Sequence, residues 1–518
     1  MKKLFTLLFS LGTFSAFAQS TGVEWQKTLG GTFADMGYSI QQTTDGGYIF
    51  AGTTNSANGD VTSNHGEADF WVIKMDGSGT IQWQKTYGGT GFDGAAMVQQ
   101  TTDGGFVVVG STDSDNGDVS NKRGDKDYWV IKLDPMGNLQ WQKCLGGRYD
   151  DLASSVRQTA DGGYIISGYT ASSNGDVSGF KGGNGDCWVV KLDNSGTMEW
   201  GKCLGGGNFD GGRDARQTKD GGYIVAAFTT SADGHVTGNH GSYDGWVVKL
   251  SSTGNVQWQK CLGGSSADDI YMIEQTTDDG YIVAGKTASS DGDVTSNHGG
   301  DDCWVVKLDV SGTLQWQKTL GGSAGESARA IQQTSDGGYV VAGYSSSMNG
   351  DVTGHHGTSD KNDIWLMKLN NTGSLQWQRS LGGTNEDAAY AIHQTTDGGY
   401  VVGGYTYSTD GDVSGNRTDA DFWVLKLNSY PVSVSNVTAT KSFSLYPNPA
   451  SKEIFLQSSE AIRTVSVMDI SGKKVAQFSG NNASEMTIPT TGLANGTYFV
   501  RVETTNGATT QKVLITHK

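Results

Sequence analysis

Apolar and polar residues alternate along most of this chain in short runs, and no long run repeats at helical spacing. Residues 70–75 form one such run, which ends at Asp76; a turn containing Gly79 follows, and the next run, residues 81–86, carries Trp83. Alternation with a period of two, bounded by Asp and Gly, is typical of strands joined by a tight turn. The stretch therefore predicts an antiparallel β-hairpin.

The same hairpin recurs seven times, and its two tryptophans account for all 14 tryptophans of the chain. The first is found at Trp71, Trp129, Trp188, Trp246, Trp304, Trp365 and Trp423, and the second at Trp25, Trp83, Trp141, Trp200, Trp258, Trp316 and Trp377. Successive second tryptophans lie 58 to 61 residues apart, and each repeat holds four strand-like runs, in the first copy residues 38–43, 48–53, 70–75 and 81–86. Four strands per repeat and seven repeats predict an all-β fold, a seven-bladed β-propeller.

The phase of the repeat predicts how the ring closes. Because one tight turn joins the strands of both tryptophans, each blade ends with the strand of its second tryptophan. That leaves residues 23–29 as a fourth strand without its first three, and residues 388–427 as three strands without a fourth. We expect residues 23–29 to complete the last blade beside residues 422–427.

The turn and second strand of the hairpin have an Asp-x-x-Gly-x-x-x-Trp pattern, as in Asp76, Gly79 and Trp83. This pattern resembles the tryptophan-docking motif of quinoprotein-type propellers, although the spacing from Asp to Gly is one residue shorter and the cofactor residues of that family are not recognisable. The resemblance implies that the tryptophan packs against the next blade. We carry over this packing role and no cofactor.

Both ends of the chain differ from the repeats. Residues 1–18 have a Lys2-Lys3 start, an apolar run at 4–14 and a small-residue site at 16–18, the pattern of a secretory signal peptide. The apolar run is too short for a membrane anchor, and no other stretch has the length of a transmembrane helix. The predicted division is a signal peptide at 1–18, a propeller at 19–430, a linker at 431–440 and a second domain at 441–518.

The second domain alternates as a small antiparallel, Ig-like β-sandwich would. Its Tyr-Pro-Asn-Pro opening, Asp-Ile-Ser-Gly-Lys hairpin, Gly-Leu-Ala-Asn-Gly-Thr-Tyr turn and Lys-Val-Leu-Ile end closely resemble the type A C-terminal sorting domain of the Bacteroidota type IX secretion system. The resemblance marks as sorting-signal residues Tyr446, Pro447, Asn448, Pro449, Gly472, Lys473, Gly496 and Tyr498. It implies export to the periplasm, passage through the outer-membrane translocon, removal of the domain, and release or anchoring at the surface.

The net charge of −17 narrows the choice of partners. Binding to nucleic-acid phosphates requires clustered Lys and Arg, and the sequence contains no such run. The acidic residues are spread across the repeats, which indicates a role in solubility and loop structure. We expect no nucleic-acid partner.

Five cysteines in an exported protein raise the question of disulfides. In the predicted hairpin, the residue before the first tryptophan lies opposite the residue that follows the lysine after the second. Only Cys187 and Cys203 are cysteines on both sides, so they are the disulfide candidate, with two adjacent buried thiols as the alternative. Cys144, Cys261 and Cys303 are expected to be small core residues.

Two acidic sets recur around the ring. The first precedes each blade and is expected to accept backbone N–H bonds, because catalysis needs a group unlike its surroundings. Its members are Asp35, Asp93, Asp151, Asp210, Asp268, Glu326 and Asp387. The second lies in an Asn/Asp-Gly-Asp-Val turn, at Asp60, Asp118, Asp176, Asp293, Asp351 and Asp412, with His235 in the fourth repeat. The histidine favours a structural turn, and calcium is the alternative.

A third set pairs a histidine with an aspartate, at His65, His240, His298 and His356 with Asp69, Asp244, Asp302 and Asp363. The other repeats have Arg123, Lys181 and Arg417 in place of the histidine, and these are not ordinary zinc ligands. A cation beside the recurring aspartate is therefore favoured over a zinc site. The sequence has no convincing catalytic or phosphate-binding motif and predicts no cofactor.

The sequence favours a non-enzymatic exported propeller that binds a glycan or a protein at the cell surface or outside the cell. The alternatives are a propeller-based glycan hydrolase or lyase, and a structural component of a surface or biofilm. A propeller offers its central channel as the default ligand site. The candidate ligand-binding residues break the sevenfold pattern in or near the first strands: Arg213, Asp214, Arg216, Glu274, Arg329 and His393.

Overall fold

The structure is a computed structural model of the 518-residue chain, and it describes residues 22–417, 419–429, 443–469, 474–504 and 508–517. The chain divides into two compact units, Met1–Tyr430 and Pro431–Lys518. Residues 1–18 and 431–440, where the sequence predicts the signal peptide and the linker, lie outside the described residues.

The first unit contains seven four-stranded antiparallel sheets, the blades. Blade 1 consists of β2 (Asp35–Gln42), β3 (Tyr48–Thr54), β4 (Asp69–Met75) and β5 (Ile81–Tyr87); blade 2 of β6 (Asp93–Gln100), β7 (Phe106–Thr112), β8 (Asp127–Leu133) and β9 (Leu139–Leu145). Blade 3 consists of β10 (Asp151–Gln158), β11 (Tyr164–Thr170), β12 (Asp186–Leu192) and β13 (Met198–Leu204); blade 4 of β14 (Asp210–Gln217), β15 (Tyr223–Thr229), β16 (Asp244–Leu250) and β17 (Val256–Leu262). Blade 5 consists of β18 (Asp268–Gln275), β19 (Tyr281–Thr287), β20 (Asp302–Leu308) and β21 (Leu314–Leu320); blade 6 of β22 (Glu326–Gln333), β23 (Tyr339–Ser345), β24 (Asp363–Leu369) and β25 (Leu375–Leu381).

Blade 7 closes the ring with a strand from the other end of the unit. It consists of β26 (Asp387–Gln394), β27 (Tyr400–Thr406), β28 (Asp421–Leu427) and β1 (Val23–Leu29). β1 is antiparallel to β28, with Val23 opposite Leu427 and Leu29 opposite Phe422. The predicted propeller, and its closure by residues 23–29, are confirmed.

Hydrogen bonds to side chains of the first strands also join each blade to its neighbour around the whole ring. In each blade the last residue of the first strand is a glutamine, and its Oε1 accepts a backbone N–H from the loop of the preceding blade. Thr44 N–H donates to Gln100 Oε1 at 2.9 Å, and the ring closes where Thr396 N–H donates to Gln42 Oε1 at 2.9 Å. Blades 7 and 1 are therefore joined in the same way as the other neighbours.

The two tryptophans of each hairpin have different positions. The first is fully buried inside the blade stack, and in six of the seven hairpins its Nε1–H donates to a glutamine of the neighbouring strand, as from Trp71 to Gln84 Oε1 at 2.7 Å. Blade 3 has Gly201 at the glutamine position, and the buried Trp188 Nε1–H has no partner among the described residues. The second lies against the turn of the next blade: a Cβ added to Gly137 would lie 2.9 Å from the Trp83 ring, and Trp83 Nε1–H donates to the Pro135 carbonyl. This is the packing that the tryptophan-docking resemblance implied.

Each complete hairpin carries a one-residue bulge beside its turn. In blade 3, Leu192 pairs with Met198 but Lys191 pairs with Trp200, which leaves Glu199 as the extra residue. The bulge places a polar side chain beside a buried lysine, with Lys191 Nζ 3.1 Å from Glu199 Oε2. It also shifts the rest of the hairpin by one residue from the register expected from the sequence.

This shift removes the predicted pairing of Cys187 with Cys203. Cys203 lies opposite Trp188, and Cys187 lies opposite Leu204. Neighbouring positions of a strand point to opposite faces, so Cys187 enters the core between blades 3 and 4, whereas Cys203 enters the core between blades 2 and 3. All five cysteines are buried free thiols, and the disulfide prediction is wrong.

The second unit consists of two antiparallel sheets. One contains β29 (Phe443–Tyr446), β30 (Glu453–Ser458) and β33 (Glu485–Pro489), and the other contains β31 (Ile462–Met468), β32 (Lys474–Ser479), β34 (Gly496–Thr504) and β35 (Ala508–Ile515). Buried residues from both sheets, such as Ile454 and Val500, form one core. The unit is the small β-sandwich that the alternation predicted.

Candidate functional site

The first strands of the seven blades line a central channel with two chambers. Each first strand contains a one-residue bulge three residues after its initial acidic residue. The lower chamber has a volume of about 430 Å³ and lies towards the glutamine ends of the strands, and the upper chamber has a volume of about 390 Å³ and lies towards their acidic ends. The side chains that line both chambers, and so separate them, are Tyr38, Met97, Met272 and Tyr390.

In the lower chamber, basic side chains take the place of a glutamine that makes the same hydrogen bond in several other blades. In blades 1, 2 and 6 the next-to-last residue of the first strand is a glutamine that accepts a backbone N–H from the next blade, as Gln41 Oε1 does from Gln100 at 2.8 Å. The same position holds Arg157, Arg216 and His393 in blades 3, 4 and 7. Because a guanidinium has no acceptor atom, the two arginines cannot receive this bond.

These arginines belong to a compact ion-pair network around Asp214, whose side chain is only 2% exposed. Arg216 Nε donates to Asp214 Oδ2 at 3.0 Å, and Arg216 Nη1 lies 3.4 Å from Glu274 Oε2. Arg157 Nη2 approaches Asp214 Oδ1 at 3.9 Å, and the Arg157 Nε–H has no partner among the described residues. The two guanidinium groups therefore balance the charge of the two carboxylates, and the Arg157 Nε–H remains without an acceptor.

Burial changes the titration of this network. It lowers the pKa of Arg157 to about 10, with the Arg216 cation adding to the effect. Burial raises the pKa of Glu274, against the opposing effect of the two arginines. It lowers the pKa of His393, whose Nδ1–H donates to the Gln394 carbonyl at 2.8 Å. His393 is therefore a neutral group beside charged ones near pH 7.

The upper chamber is asymmetric at the bulged position of the first strands. Going around the ring from blade 4, that position holds Arg213, Tyr271, Arg329, Tyr390 and Tyr38, and then Ala96 and Ser154 in blades 2 and 3. A bulge changes the direction in which the side chain of its extra residue points. Five large side chains therefore form a crescent, and two small ones leave a gap opposite it.

The two arginines of the crescent differ in their partners. Arg213 Nη2 lies 2.8 Å from Asp269 Oδ2 and 3.2 Å from the Tyr243 hydroxyl. Arg329 Nη2 donates to the Tyr344 hydroxyl at 2.9 Å, and its guanidinium lies 4.0 Å from the ring centroid of Tyr271. Within the described parts of the chain, Arg329 has no carboxylate at ion-pair distance, and its buried Nε–H has no hydrogen-bond partner.

The structure places all six candidate residues in the channel, but in two groups. Arg213, Asp214 and Arg329 line the upper chamber, and Arg216, Glu274 and His393 line the lower one. The sequence analysis missed Arg157 and the tyrosines of the crescent. Arg157 occupies the same repeat position as Arg216, so an alignment of the first strands would have found it. The tyrosines would have been found only by recognising the bulge.

The recurring acidic residues lie between blades and bond to the backbone there. Asp35 Oδ2 accepts the Gly31 N–H at 2.7 Å, and Asp60 Oδ2 accepts the Gly30 N–H at 3.2 Å. In the fourth blade His235 replaces that aspartate, and its Nδ1 accepts the Gly205 N–H at 3.3 Å. The structural role expected for the first set is confirmed, and the second set forms a turn that works with either side chain.

In the histidine–aspartate set, the histidine ring lies beside the recurring aspartate, with His65 Nδ1 2.6 Å from Asp69 Oδ2. Arg417 takes the corresponding place in blade 7, where its backbone N–H donates to Asp421 Oδ2 at 3.2 Å and its Nη1 lies 2.9 Å from Asp60 Oδ2. Over the part of the chain that the structure describes, no group of three or more His, Cys, Asp or Glu side chains could hold a metal ion.

The sorting-signal residues lie in the second unit. Tyr446 is exposed and stacks on Phe455 with 5.8 Å between ring centroids. Asn448 Oδ1 accepts the Leu514 N–H at 2.9 Å, which joins the opening of the domain to its last strand. The buried Tyr498 donates its hydroxyl to the Ala494 carbonyl at 3.1 Å. Pro447 and Pro449 are exposed, Gly496 begins β34, and Gly472 and Lys473 lie outside the described residues.

Comparisons with known proteins agree with the two-unit organisation. Residues 444–516 match the family model of the secretion system C-terminal sorting domain. The regulatory protein FlaEY of Caulobacter vibrioides is 23% identical to the chain over 406 residues, and the alignment covers 70% of this chain and 42% of that protein. No helical segment of the described residues has the length and apolarity of a membrane span.

Two solved structures align with most of the chain. The extracellular domain of the putative one component system BT4673 from B. thetaiotaomicron is 11% identical, with a TM-score of 0.38, and the alignment covers 93% of this chain and 57% of that one. Puromycin hydrolase is 11% identical, with a TM-score of 0.43, and the alignment covers 91% of this chain and 59% of that one. The chain spans less than two thirds of each of these proteins and of FlaEY. The sorting-domain match indicates that this protein is a cargo of the type IX secretion system, exported to the cell surface or the extracellular space.

Proposed function

We propose that this exported propeller is a binding protein whose ligand, a glycan or a surface protein, enters the central channel, and that it is not an enzyme. Ligands of ring-shaped folds favour the central opening because it is concave and rigid. The outward loops of the blades, in contrast, follow the sevenfold pattern closely. The type IX sorting domain delivers this channel to the place where such a ligand would be met.

The observation that carries the proposal is the replacement of repeated glutamines by charge in the lower chamber. Gln41, Gln99 and Gln332 each join two blades through a hydrogen bond, and this bond is the structural use of the position. Arg157 and Arg216 give it up and bury charge instead, which costs free energy. Such a cost is expected where a ligand is recognised rather than where the fold alone is maintained.

The test is a variant, called the channel variant, in which both chambers return to the pattern of the other blades. In the lower chamber it combines Arg157→Gln, Arg216→Gln, Glu274→Gln and His393→Gln with Asp214→Ser, the residue found at that position in blades 1 and 3. In the upper chamber it adds Arg213→Tyr and Arg329→Tyr, the residue found at that position in blades 1, 5 and 7. The full chain and the variant are screened on glycan arrays and in pull-downs from surface-protein extracts. We expect every ligand of the native chain to be lost by the variant.

The control removes charge outside the channel, by Arg148→Gln and Asp115→Asn at exposed positions. Its ligands should be those of the native chain. Ligand binding that survives in the channel variant would point to the repeated outer surface and refute a channel site. Cleavage of a bound glycan, detected by mass spectrometry of the released products, would refute the non-enzymatic part and favour a hydrolase or lyase.

A further inference from the structure

The channel contains one positive charge that the protein does not neutralise. Its first strands place four arginines in the ring, and three carboxylates partner them: Asp214 and Glu274 in the lower network, and Asp269 beside Arg213. The remaining guanidinium is Arg329, which stays protonated at all physiological pH values. In a chain of net charge −17, this local excess is opposite in sign to the molecule as a whole.

The surroundings hold Arg329 in place without neutralising it. The rings of Tyr271, Tyr344 and Tyr390 lie 4.0, 5.3 and 5.3 Å from the guanidinium, a cation–π cage that orients a cation. Glu386 accepts the Tyr405 hydroxyl at 3.1 Å and forms no ion pair with Arg329 in the described part of the chain. The guanidinium therefore keeps donors for an incoming acceptor, among them its unpartnered Nε–H.

The wall opposite Arg329 fits the body of a small amphipathic ligand. At the bulged position, blades 2 and 3 contribute only Ala96 and Ser154, so the gap in the crescent lies across the chamber from the arginine. Phe92 and Leu152 make part of this wall apolar, and the hydroxyl-bearing Thr53, Ser111 and Ser154 are also part of the lining. A sugar ring has this combination of an apolar C–H face and hydroxyl edges, and aromatic side chains are suited to cover such a face.

We propose that the upper chamber binds a saccharide that carries one carboxylate, a uronic acid residue at the end of a glycan, with its carboxylate on Arg329. The inference rests on the proposed function and names its ligand class. One uncompensated guanidinium matches one monoanion, and its planar fork matches the two oxygens of a carboxylate. The volume of about 390 Å³ lies at the small end of ligand sites, and the layer of Tyr38, Met97, Met272 and Tyr390 closes it below, so a chain end fits better than a chain interior.

The experiment is calorimetric titration of the full chain with glucuronate and galacturonate. Methyl glucoside serves as the neutral probe, and glucose 6-sulfate as a monoanion without a carboxylate. We expect binding of a uronate, weaker at higher salt, and no binding of the neutral sugar. Arg329→Gln should weaken uronate binding by about tenfold or more, the effect of one charge-assisted hydrogen-bond pair. Arg329→Lys should retain part of it, and Arg148→Gln, at an exposed position, should change nothing.

A second variant, Ala96→Tyr, fills the gap and leaves Arg329 in place, so it tests the ligand pose without touching the charge. It should abolish uronate binding while thermal melting shows the fold intact. Equal affinity for uronate and methyl glucoside, or unchanged uronate affinity in Arg329→Gln, would overturn the inference. A screened ligand lost by the channel variant but kept by Arg329→Gln would overturn this inference alone; a ligand kept by both would overturn the channel site as well.

Discussion

At each of six blade junctions, a glycine in one hairpin turn sets how closely the second tryptophan of the preceding blade can approach. The pairs are Trp25 with Gly79, Trp83 with Gly137, Trp141 with Gly196, Trp200 with Gly254, Trp258 with Gly312 and Trp316 with Gly373. These glycines have positive φ, where any L side chain is strained, and in addition they lie in contact with an indole. Two causes therefore require glycine at these positions, and they can be separated by experiment.

Gly312→Ala and Gly337→Ala form a matched pair for that purpose. Their φ values are 83° and 82°, but a Cβ on Gly312 would lie 2.7 Å from the Trp258 ring, whereas a Cβ on Gly337 would meet nothing within 4 Å. We expect each change to cost about 1 kcal/mol through backbone strain, and Gly312→Ala to cost about 1–3 kcal/mol more through overpacking. Urea unfolding of both variants measures the difference. Equal losses would show that the tryptophan yields without cost.

The cysteines give a second prediction at the scale of the residue. All five are buried, and burial raises the pKa of Cys144, Cys203 and Cys261 to about 12. We expect the native protein to resist alkylation and the protein unfolded in denaturant without reductant to take up five alkyl groups, counted by intact mass. An uptake of three would show that a disulfide had formed.

The strand β1 is the element that makes seven sheets into a ring. It pairs with β28 over six residues, and Gln26 adds two bonds of its own, to the Asp412 carbonyl at 2.7 Å and from Trp423 Nε1 at 2.9 Å. Without β1, β28 has an open edge, which is the form of sheet most prone to unwanted pairing. The closure therefore connects the start of the propeller sequence to its end.

Deleting residues 22–29 should lower the free energy of unfolding by about 3–6 kcal/mol, because it removes some six strand hydrogen bonds with a net contribution of about 0.5–1 kcal/mol each. A permuted chain that carries residues 23–29 after Leu427, joined by a copy of the turn at residues 76–80, should regain the native stability. Urea denaturation and size-exclusion chromatography measure both variants. A permuted chain as unstable as the deletion would contradict the closure.

The order of the elements could be predicted from the sequence, because the repeat is regular and the turn signals are strong. The bulges could not. Glu199 in the hairpin and Arg213 in the first strand have no sequence feature that marks them as the extra residue of a bulge, since a bulge depends on pairing with another strand. One bulge moved Cys187 away from Cys203, and the other aims Arg213 and Arg329 into the upper chamber. The channel residues were found by their departure from the repeat, whereas their division into two chambers required the structure.

On the scale of the whole molecule, the sorting domain and the propeller fold around separate hydrophobic cores. The match to the sorting-domain family covers residues 444–516, and the propeller has its own cores. Another protein that carries this domain at its C-terminus should therefore be exported by the same route.

We expect a carrier protein with a signal peptide and residues 431–518 at its C-terminus to reach the surface or medium of a host that has a type IX system. The present chain ended after residue 429 should remain in the periplasm. Fractionation and immunoblotting measure both, and a host without the translocon should retain both. Surface display of the shortened chain would contradict the role of the domain.

The ring also contains a buried pair of acids at every blade junction, and at least one acid of each pair has a raised pKa, which makes the stability of the ring depend on pH. Between blades 7 and 1, burial raises the pKa of Asp421 to about 6, with Arg417 opposing and Asp35 adding to the rise. Burial raises the pKa of Asp35 as well. A folded pKa above the unfolded value means that the stabilisation is complete below about pH 4 and is lost as the pH rises through 6. The propeller should therefore be more stable at pH 5 than at pH 8.

Other aspartates have lowered pKa values, and these limit the gain in stability at still lower pH. Burial favours the neutral form of Asp45, but hydrogen bonds from Thr43, Lys74 and Gly47 more than offset it and lower its pKa to about 2. The same holds at Asp103, Asp161, Asp220 and Asp397. Their contribution is present above the unfolded pKa of about 4 and is lost as the pH falls towards 2. Stability should therefore be greatest between about pH 4 and 6.

Asp421→Asn tests the origin of the rise in stability towards pH 5, at a junction where the basic residue is Arg417 rather than a histidine. Removing one buried charge should stabilise the chain at pH 8 and reduce the gain between pH 8 and pH 5 by on the order of 2 kcal/mol. Asp115→Asn, which removes the same charge from an exposed loop, should leave the pH profile unchanged. Urea unfolding at pH 8, 6.5 and 5 gives all three profiles. A native profile that is flat or rises towards pH 8 would contradict the acid pairs as its cause, since their raised pKa values permit only a gain on acidification.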